Sequence, residues 1–298
     1  MLINWFFFWI GIVFLGLAKI KSIIYGYSTP KVFPISEFQR CVEYDIKVVN
    51  RWTELLQNYT KDGELFNFSN KSILELGPGS DLGAGLYILS KSAKDYTAVD
   101  INNLIQKVPA QFYNVFFNYL HDKENIDTSF LIKEFEKSQT GNSDKLNFIW
   151  QKDFDVACAM GSHKVDVVLS NCSFEHFENV RKTINDISSV SSPGAIFIAL
   201  VDMRTHSRWI LEKDPNNIYR YPDKLYNFFN FSGIPNRVRP FQYKEALEKN
   251  GWKNVKIIPT LTLDNHEFNL IKEHFDTEFH ESKNQMNYLS MQVYATKI

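Results

Sequence analysis

The segment ILELGPGSDLGAG, residues 73–85, places an acid and two glycines where a short apolar run ends. Glycine has no side chain, so a turn at Gly77 and Gly79 lets a ligand approach the backbone closely. The spacing is not that of the dinucleotide pattern G-x-G-x-x-G, and no lysine followed by serine or threonine makes a phosphate loop. Glu75 would repel a pyrophosphate, so the segment favours a ligand that carries a positive amine or sulfonium.

A second acid, Asp100, closes the apolar run YTAVD. It follows Gly77 at roughly the 20-residue distance at which an acid at the tip of the second strand accepts hydrogen bonds from ribose hydroxyls. The ligand then has an adenosine-like half. Considered separately, the glycine pair also fits an ordinary tight turn, and Asp100 also fits a helix cap.

Short apolar runs alternate with longer mixed segments, which is typical of a parallel sheet with helices on its faces. Buried strands are predicted at residues 72–76, 96–99, 148–150, 165–169, 195–201, 255–263 and 288–295. Amphipathic helices are predicted at 38–56, 241–250 and 267–279. Ligands gather at the carboxyl ends of parallel strands, so the residues just after each strand are the candidates for chemistry.

Three motifs occur along the chain in the order ILELGPGSDLGAG, YTAVD and VDVVLSNCSFEHF. They resemble the first, second and fourth motifs of class I S-adenosylmethionine-dependent methyltransferases, over about residues 40–298. The resemblance implies a Rossmann-like α/β fold: a seven-stranded, mostly parallel sheet with helices on both faces and an antiparallel last strand. It implies S-adenosyl-L-methionine as the cofactor.

The same resemblance assigns roles to the residues of these motifs. The two glycines of the turn would pass beneath the methionine part of the cofactor, the acid before them would hold its amine, and the second acid would take the ribose hydroxyls. The adenine contact falls on one of the two acids in WQKDFD, between which the sequence does not choose. The residues expected to bind the cofactor are Glu75, Gly77, Gly79, Asp100, Asp153, Asp155 and Asn171.

The loops after the fourth and fifth predicted strands carry the candidates for catalysis. Histidine titrates near neutrality and can take a proton from a hydroxyl or amine as it attacks the methyl group. His176 and His206 are therefore candidate bases, and Asp202 is placed to orient one of them. The alternative is that Glu175 and His176 begin a helix and pack against the cofactor.

The segments VDMRTHSRW and IPNRVRPFQYKEALEKNGW resemble bacterial methyltransferases of sugars or other small acceptors. The expected reaction is therefore methyl transfer to an oxygen or nitrogen of a small, sugar or lipid-linked acceptor. Four arginines offer sites for a phosphate or carboxylate of the acceptor, although a surface ion pair also explains each of them. They are Arg204, Arg208, Arg237 and Arg239.

Other partners are disfavoured by composition and by missing motifs. The chain has 33 basic and 34 acidic residues and no block of lysine or arginine, so nucleic acid is not an expected partner. No Asn-Pro-Pro-Tyr or Asp-Pro-Pro-Tyr follows the fourth strand, which disfavours amino-methylation of DNA bases or of protein glutamine. His266, His274 and His280 do not share a helix face, and the three cysteines are far apart, so no metal site is predicted.

The N-terminus begins with an uncharged apolar stretch, residues 2–18, followed by Lys19 and Lys21. Basic residues after the stretch fit an uncleaved membrane anchor better than a cleavable signal peptide. With Lys31 they place the rest of the chain in the cytoplasm. The alternatives are a helix lying on the membrane surface or an arm packed on the domain. The expected organisation is an anchor at 1–20, a linker and helical cap at 21–70, and a methyltransferase domain at 71–298.

Two rival functions fit parts of the pattern. An NAD-dependent or nucleotide-sugar enzyme uses a similar sheet, but the dinucleotide spacing of glycines is missing. A non-catalytic methyltransferase-like scaffold would keep the fold without turnover. The acids and glycines of the first two motifs are intact, which argues against loss of cofactor binding but not against loss of turnover.

Overall fold

The computed structural model describes residues 2–26, 33–60 and 66–298. The strands are β1 Ser72–Leu76, β2 Asp95–Asp100, β3 Leu146–Trp150, β4 Val165–Asn171, β5 Ser191–Asp202, β6 Trp252–Thr262 and β7 Tyr288–Lys297. They form one seven-stranded sheet in the order β3-β2-β1-β4-β5-β7-β6. The sheet is mostly parallel with its last strands antiparallel, so the predicted fold class is confirmed.

Eleven α-helices occur within the described residues. They are α1 Leu2–Tyr25, α2 Phe38–Thr60, α3 Gly83–Ser90, α4 Ala110–Glu124, α5 Ser129–Gln139, α6 Val156–Met160, α7 Val180–Val190, α8 Arg208–Leu211, α9 Asp223–Phe228, α10 Pro240–Lys249 and α11 Asn265–Ile271. Two short 3₁₀ turns carry residues of the candidate site and of the surface beneath α1, Phe174–His176 and Asn217–Arg220. Helix α2 covers the predicted range and extends four residues beyond it, with its apolar face buried.

The centre of the sheet explains why the first strands read as mostly apolar runs. Every residue of β1 and β2 is buried, and β1 pairs in parallel with both β2 and β4. A strand buried on both faces favours apolar residues, since neither face meets water, and a polar residue such as Glu75 is the exception there. Because β1 and β2 run in parallel with Leu76 opposite Val99, the acids Glu75 and Asp100 both lie near the carboxyl ends of these strands.

The helix predicted over 267–279 is shorter than expected. Helix α11 ends at Ile271, and two separate 3₁₀ turns come after it. Phe275 has an extended backbone, which interrupts the helical hydrogen bonds. The carboxylate of Asp276 then accepts a hydrogen bond from the amide of Glu278 at 3.2 Å and starts a new turn. A local cap therefore competes with the amphipathic pattern, as aspartate commonly does at helix starts.

The described chain divides into two compact units. Unit 1 contains α1 and residues 172–185 and 199–295, and unit 2 contains residues 33–171, 186–198 and 296–298 where the structure describes them. The predicted limits at residues 20 and 70 stay predictions. The predicted linker includes residues 27–32 and 61–65, which lie outside the described residues together with Lys31.

Helix α1 is the only described helix long and apolar enough to cross a membrane, with a mean hydropathy of 1.9 over its apolar window. One of its sides nevertheless packs within unit 1. The side-chain amide of Asn217 donates to the carbonyl of Phe7 at 2.9 Å, and the hydroxyl of Tyr221 donates to the carbonyl of Phe8 at 3.1 Å. Gly11 permits this approach, because a Cβ there would overlap both Tyr221 and Asn217.

A buried ion pair supports the docking surface of α1. The Arg220 guanidinium donates to the carboxylate of Asp214 at 2.7 and 3.1 Å, and both side chains are 1% exposed. The same guanidinium reaches the side chain of Asn4 in α1 at 3.2 Å. The opposite side of α1 is a stripe of exposed side chains, all apolar: Trp5, Trp9, Val13, Leu17, Ile20 and Ile24.

Candidate functional site

The glycine turn of unit 2 follows β1 directly. Gly77 has φ +70° and Gly79 has φ +87°, a left-handed backbone that other residues adopt only under strain. The amide of Gly77 donates to the carbonyl of Val99 at 3.0 Å, which joins the turn to the end of β2. Both glycines are therefore required by the backbone itself, and their amides lie beside the end of the second strand.

Glu75 presents a buried carboxyl group just before this turn. Glu75 is only 3% exposed, and its carboxyl group accepts a hydrogen bond from the hydroxyl of Tyr96. Burial raises the pKa of Glu75 to about 7; the Tyr96 hydrogen bond opposes this rise, and the charges of Asp81 and Asp100 add to it. A carboxyl group kept away from water in this way gains from a cationic partner.

Asp100 closes β2 and is 8% exposed. The amide of Asn102 donates to its carboxylate at 2.7 Å, and hydrogen bonds from the backbone of Gly79 and Ile101 also favour its ionised form. Burial outweighs them and raises the pKa of Asp100 to about 6. The backbone of Gly79, in the first motif, thus lies beside the carboxylate of Asp100, in the second. The two motifs are close enough to contact one ligand.

Two further buried acids lie beside Glu75 and were not singled out from the sequence. Asp81 accepts hydrogen bonds from the amide of Gly83 at 2.9 Å and from the hydroxyl of Ser80 at 3.1 Å. Asp45 lies on the buried face of α2, and burial, reinforced by the charge of Asp81, raises its pKa well above the usual range. The sequence did contain a signal for Asp45, since it is an acid on the apolar face of a predicted amphipathic helix.

Gly83 and Gly85 of the opening segment have a packing role. A Cβ at Gly83 would overlap the carboxylate of Asp45, and one at Gly85 would overlap the ring of Tyr96. These glycines let α3 lie directly on the groups that surround Glu75. The third and fourth glycines of the motif therefore shape the buried acid cluster rather than a dinucleotide turn.

The remaining cofactor candidates have other visible partners. Asp155 caps α6, accepting a hydrogen bond from the amide of Cys158 at 2.8 Å, while Asp153 is exposed. Asn171, at the end of β4, donates to the hydroxyl of Tyr44 at 3.0 Å. The structure thus brings Glu75 and Asp100 together with the glycine turn. The cofactor-binding roles of all seven candidate residues stay predictions.

The catalytic candidates of unit 1 form a second group. The rings of His176 and His206 lie edge to face with centroids 4.7 Å apart. Glu175 lies beside them and is 2% exposed. A carboxylate oxygen of Glu175 and one ring nitrogen of each histidine lie within 4.8 Å of one another. Glu175 was considered from the sequence only as the start of a helix, whereas here it lies in a single 3₁₀ turn.

Asn236 shapes that turn. Its side-chain amide donates to the carbonyl of Phe174 at 2.7 Å and to the carbonyl of Phe177 at 3.0 Å. The two bonds hold both ends of the segment that carries Glu175 and His176. Asn236 lies far along the chain from this turn, so sequence spacing offered no signal for it.

Asp202 forms a forked ion pair with Arg204, whose guanidinium donates to its two carboxylate oxygens at 2.8 and 2.7 Å. Burial alone would raise the pKa of Asp202, but the hydrogen bonds and charge of Arg204 outweigh it and lower that pKa. Burial also lowers the pKa of His176 to about 4, with His206 adding to the effect. Desolvation by the surrounding protein lowers the pKa of His206 as well, although part of its ring meets solvent.

Three of the four predicted anion-binding arginines have structural partners. Arg237 pairs with Asp223 and Glu278. Arg239 is fully buried, donating to three backbone carbonyls and to the hydroxyl of Tyr219. Arg204 and Arg237 thus form ion pairs, as the alternative predicts, whereas Arg239 follows neither prediction, because its hydrogen-bond partners are neutral groups of the fold.

A cavity of about 360 Å³ opens at the other end of the unit 2 strands. Its lining includes Lys94 and Lys145, which immediately precede β2 and β3. No candidate residue lines it. Ligands of parallel sheets gather at the carboxyl ends of the strands, so this cavity is not the candidate site.

A comparison with family models identifies the class of the chain. A family model for a methyltransferase domain matches residues 44–257, more than half of the chain. No match was found among curated proteins.

Among solved structures, the chain is similar to CurJ carbon methyltransferase at 14% identity and a TM-score of 0.47, covering 96% of this chain and 65% of that one. It is also similar to a SAM-dependent methyltransferase from Archaeoglobus fulgidus at 15% identity and a TM-score of 0.44, covering 85% and 94%. A third is phosphoethanolamine N-methyltransferase 2 of Haemonchus contortus in complex with S-adenosyl-L-methionine, at 11% identity and a TM-score of 0.43, covering 83% and 52%. The chain spans less than two thirds of the length of the first and third of these.

Proposed function

The chain belongs to this methyltransferase family, and we propose that it transfers the methyl group of S-adenosyl-L-methionine to an oxygen or nitrogen of a small, sugar or lipid-linked acceptor. The observation that carries the cofactor assignment is the pair of buried acids, Glu75 and Asp100, beside one glycine turn. A sulfonium cofactor with a free amine and a ribose has groups that match both acids.

On the cofactor side, Glu75 would bind the amine and Asp100 the ribose hydroxyls. Gly77 and Gly79 would allow the methionine part to pass close to the backbone, which their left-handed conformation and missing side chains support. The acids of unit 2 would favour a cation over a phosphate, since nearby negative charge repels an anion. The adenine would be contacted from the loop that carries Asp153 and Asp155, with Asn171 as a further contact.

On the acceptor side, His176, His206 and Asp202 would bind the acceptor and handle its proton. The chemical step is an in-line displacement: the acceptor atom forms a bond to the methyl carbon, and the carbon–sulfur bond breaks with its electron pair moving to sulfur. The sulfonium charge is neutralised, and the acceptor loses its proton. Alignment of the two reactants supplies most of the acceleration in such a reaction.

We also propose that α1 attaches the enzyme to a membrane, with the remainder of the chain facing the cytoplasm. The apolar stripe from Trp5 to Ile24 supports contact with lipid, and Lys19 and Lys21 suit the anionic headgroups of the cytoplasmic leaflet. The bonds from Asn217 and Tyr221 to the opposite side of the helix favour a helix that lies along the membrane surface.

Calorimetric titration of the full chain in detergent with S-adenosylhomocysteine tests the cofactor assignment, with NAD and a UDP-sugar as controls. We expect micromolar binding of S-adenosylhomocysteine alone, and a loss of at least about tenfold in Asp100→Ala, since two charge-assisted hydrogen bonds disappear. Asp144→Ala removes an exposed acid elsewhere in unit 2 and should bind like the native chain. Binding of NAD instead, or equal affinity in both variants, would refute the assignment.

A further inference from the structure

The cluster of Glu175, His176 and His206 contains buried polar atoms that no protein group satisfies. Oε2 of Glu175 and Nδ1 of His176 are both inaccessible to water and without a hydrogen-bond partner. Buried polar atoms in folded proteins are nearly always paired, and an unpaired one costs free energy. The two residues that carry these atoms each have a ligand atom within 4.8 Å of one another and of a ligand atom of His206. Two unpartnered atoms in one such cluster indicate a missing partner that attracts lone pairs.

The fold fixes the turn that carries both unpartnered atoms. The side-chain amide of Asn236 donates to the carbonyls of Phe174 and Phe177 at 2.7 and 3.0 Å, on either side of Glu175 and His176. The backbone of Gly233 and Ile234 lies close to the ring of His176. A ligating histidine characteristically donates its other ring nitrogen to a backbone carbonyl, and Nε2 would do so here.

We propose that Glu175 Oε2, His176 Nδ1 and a ring nitrogen of His206 bind a divalent transition-metal cation. Two imidazoles and one carboxylate suit Zn²⁺ and its neighbours in the first transition series, whereas Mg²⁺ and Ca²⁺ prefer oxygen ligands alone. Ligand distances near 2 Å require the three atoms to draw closer together than 4.8 Å. His206 lies on the exposed side of the cluster, where its ring can rotate to close the site.

The local charges permit a cation at this place. Arg204 lies near Glu175, but its positive charge is matched by Asp202 in the forked ion pair. Arg204 therefore does not oppose a cation beside Glu175.

Three protein ligands leave coordination positions open for an oxygen of a second molecule. This last step rests on the proposed methyl transfer: an acceptor hydroxyl bound to the cation would lose its proton more readily. The cation would lower the pKa of the bound hydroxyl, the proton would pass to solvent water, and the imidazoles would serve as metal ligands in place of the predicted base.

Metal titration tests the site without reference to methyl transfer. The full chain in detergent is treated with a chelator, dialysed, and titrated with Co²⁺ while visible d–d absorption is recorded, then with Zn²⁺ against a chromophoric chelator. We expect one equivalent of each metal per chain. Glu175→Gln and His206→Gln should each weaken binding by at least about tenfold to a hundredfold, since even outer partners of a metal contribute that much. His266→Gln removes an exposed histidine elsewhere in unit 1 and should bind metal like the native chain.

S-adenosylhomocysteine binding is measured on the same samples and separates the two proposals. Retained S-adenosylhomocysteine binding shows that a variant has folded, and His206→Gln removes an exposed ring even where Glu175→Gln fails to fold. Less than half an equivalent of Co²⁺ on folded native protein would overturn the metal proposal and leave the methyl-transfer proposal standing. Equal metal affinity in His206→Gln and the native chain would also overturn it.

Discussion

The hydroxyl of Tyr96 donates a hydrogen bond to Oε2 of Glu75, and neither residue is more than 3% exposed. The two side chains come from adjacent strands, β2 and β1, and the ring of Tyr96 lies where Gly85 of α3 leaves room for it. This one contact joins the glycine motif, the second strand and the acid that we assign to the cofactor amine. Its removal should therefore affect both ligand binding and stability.

Tyr96→Phe keeps the ring and removes the donor. Glu75 then loses the hydrogen bond that favours its ionised form, so the carboxylate is harder to form in the buried site. We expect S-adenosylhomocysteine affinity to fall about tenfold, and the free energy of unfolding to fall by about 1 to 2 kcal/mol. Calorimetry and denaturant unfolding measure the two quantities.

Tyr294→Phe is the matched control, because it removes the hydroxyl of another buried tyrosine, which donates to Gln292 at 2.8 Å. It should cost similar stability and leave ligand affinity unchanged. If both variants lost affinity equally, the effect of Tyr96 would be a general loss of stability and not a local effect on Glu75.

Cofactor binding should depend on pH through Glu75. Its pKa is raised to about 7 by burial, and a cationic amine binds its ionised form. Affinity for S-adenosylhomocysteine should therefore rise between pH 6 and pH 8, approaching about tenfold per pH unit below 7 if Glu75 alone titrates. Binding below pH 7 should release a proton, which calorimetry in buffers of different ionisation enthalpy detects.

The stability of the ligand-free protein should change in the opposite direction. Because the folded pKa of Glu75 lies above its usual value, the folded protein keeps a proton that the unfolded chain loses. This contribution is complete below about pH 4.5 and is lost as the pH rises through 7. Glu75→Gln should remove the part of both pH dependences near pH 7 and leave only the part near pH 6 that Asp100 contributes. Proton release near pH 7 that persists in this variant would assign the titration to another group.

Gly85→Ala tests the packing of α3 on Tyr96. Alanine favours a helix by up to about 1 kcal/mol over glycine, but here its Cβ would overlap the tyrosine ring, and overpacking costs about 1 to 3 kcal/mol. We expect a net loss of stability and weaker S-adenosylhomocysteine binding. Gly16→Ala in α1 is the control, because its Cβ would lie 3.6 Å from Phe229, so helix propensity should prevail. A stabilised Gly85→Ala would contradict the packing role.

The sheet could be predicted because its strands are local patterns. Runs such as Ser72–Leu76 are buried on both faces, so they are mostly apolar and visible in the sequence despite Glu75. Ends were less well defined: β5 begins at Ser191, before a half-exposed segment that includes Gly194 at φ +84°, and was predicted only from residue 195. Its first residues carry no apolar signal.

The site could be predicted only where its residues lie next to a strand end. Glu75 and Asp100 follow from motif spacing, but Asp45 and Asn236 reach their clusters through tertiary packing, from a helix and a loop distant in the chain. Tyr96 looked like one more apolar strand residue, and its role depends on where its hydroxyl points. The burial that leaves Glu175 Oε2 unpartnered likewise has no counterpart in sequence spacing.

The exposed stripe of α1 should decide membrane binding. Leu17 is 55% exposed on this stripe, and burying a leucine in lipid contributes about 1.5 to 3 kcal/mol, so Leu17→Glu should reduce the fraction of protein that floats with anionic vesicles by roughly tenfold or more. Leu261→Glu changes a leucine that is 42% exposed on β6 and should float like the native chain. Equal flotation of both variants would rule out the stripe as the lipid contact. Alkaline carbonate then distinguishes the geometry: a helix held to unit 1 by Asn217 and Tyr221 should be released from membranes, whereas a helix that crosses the bilayer is retained.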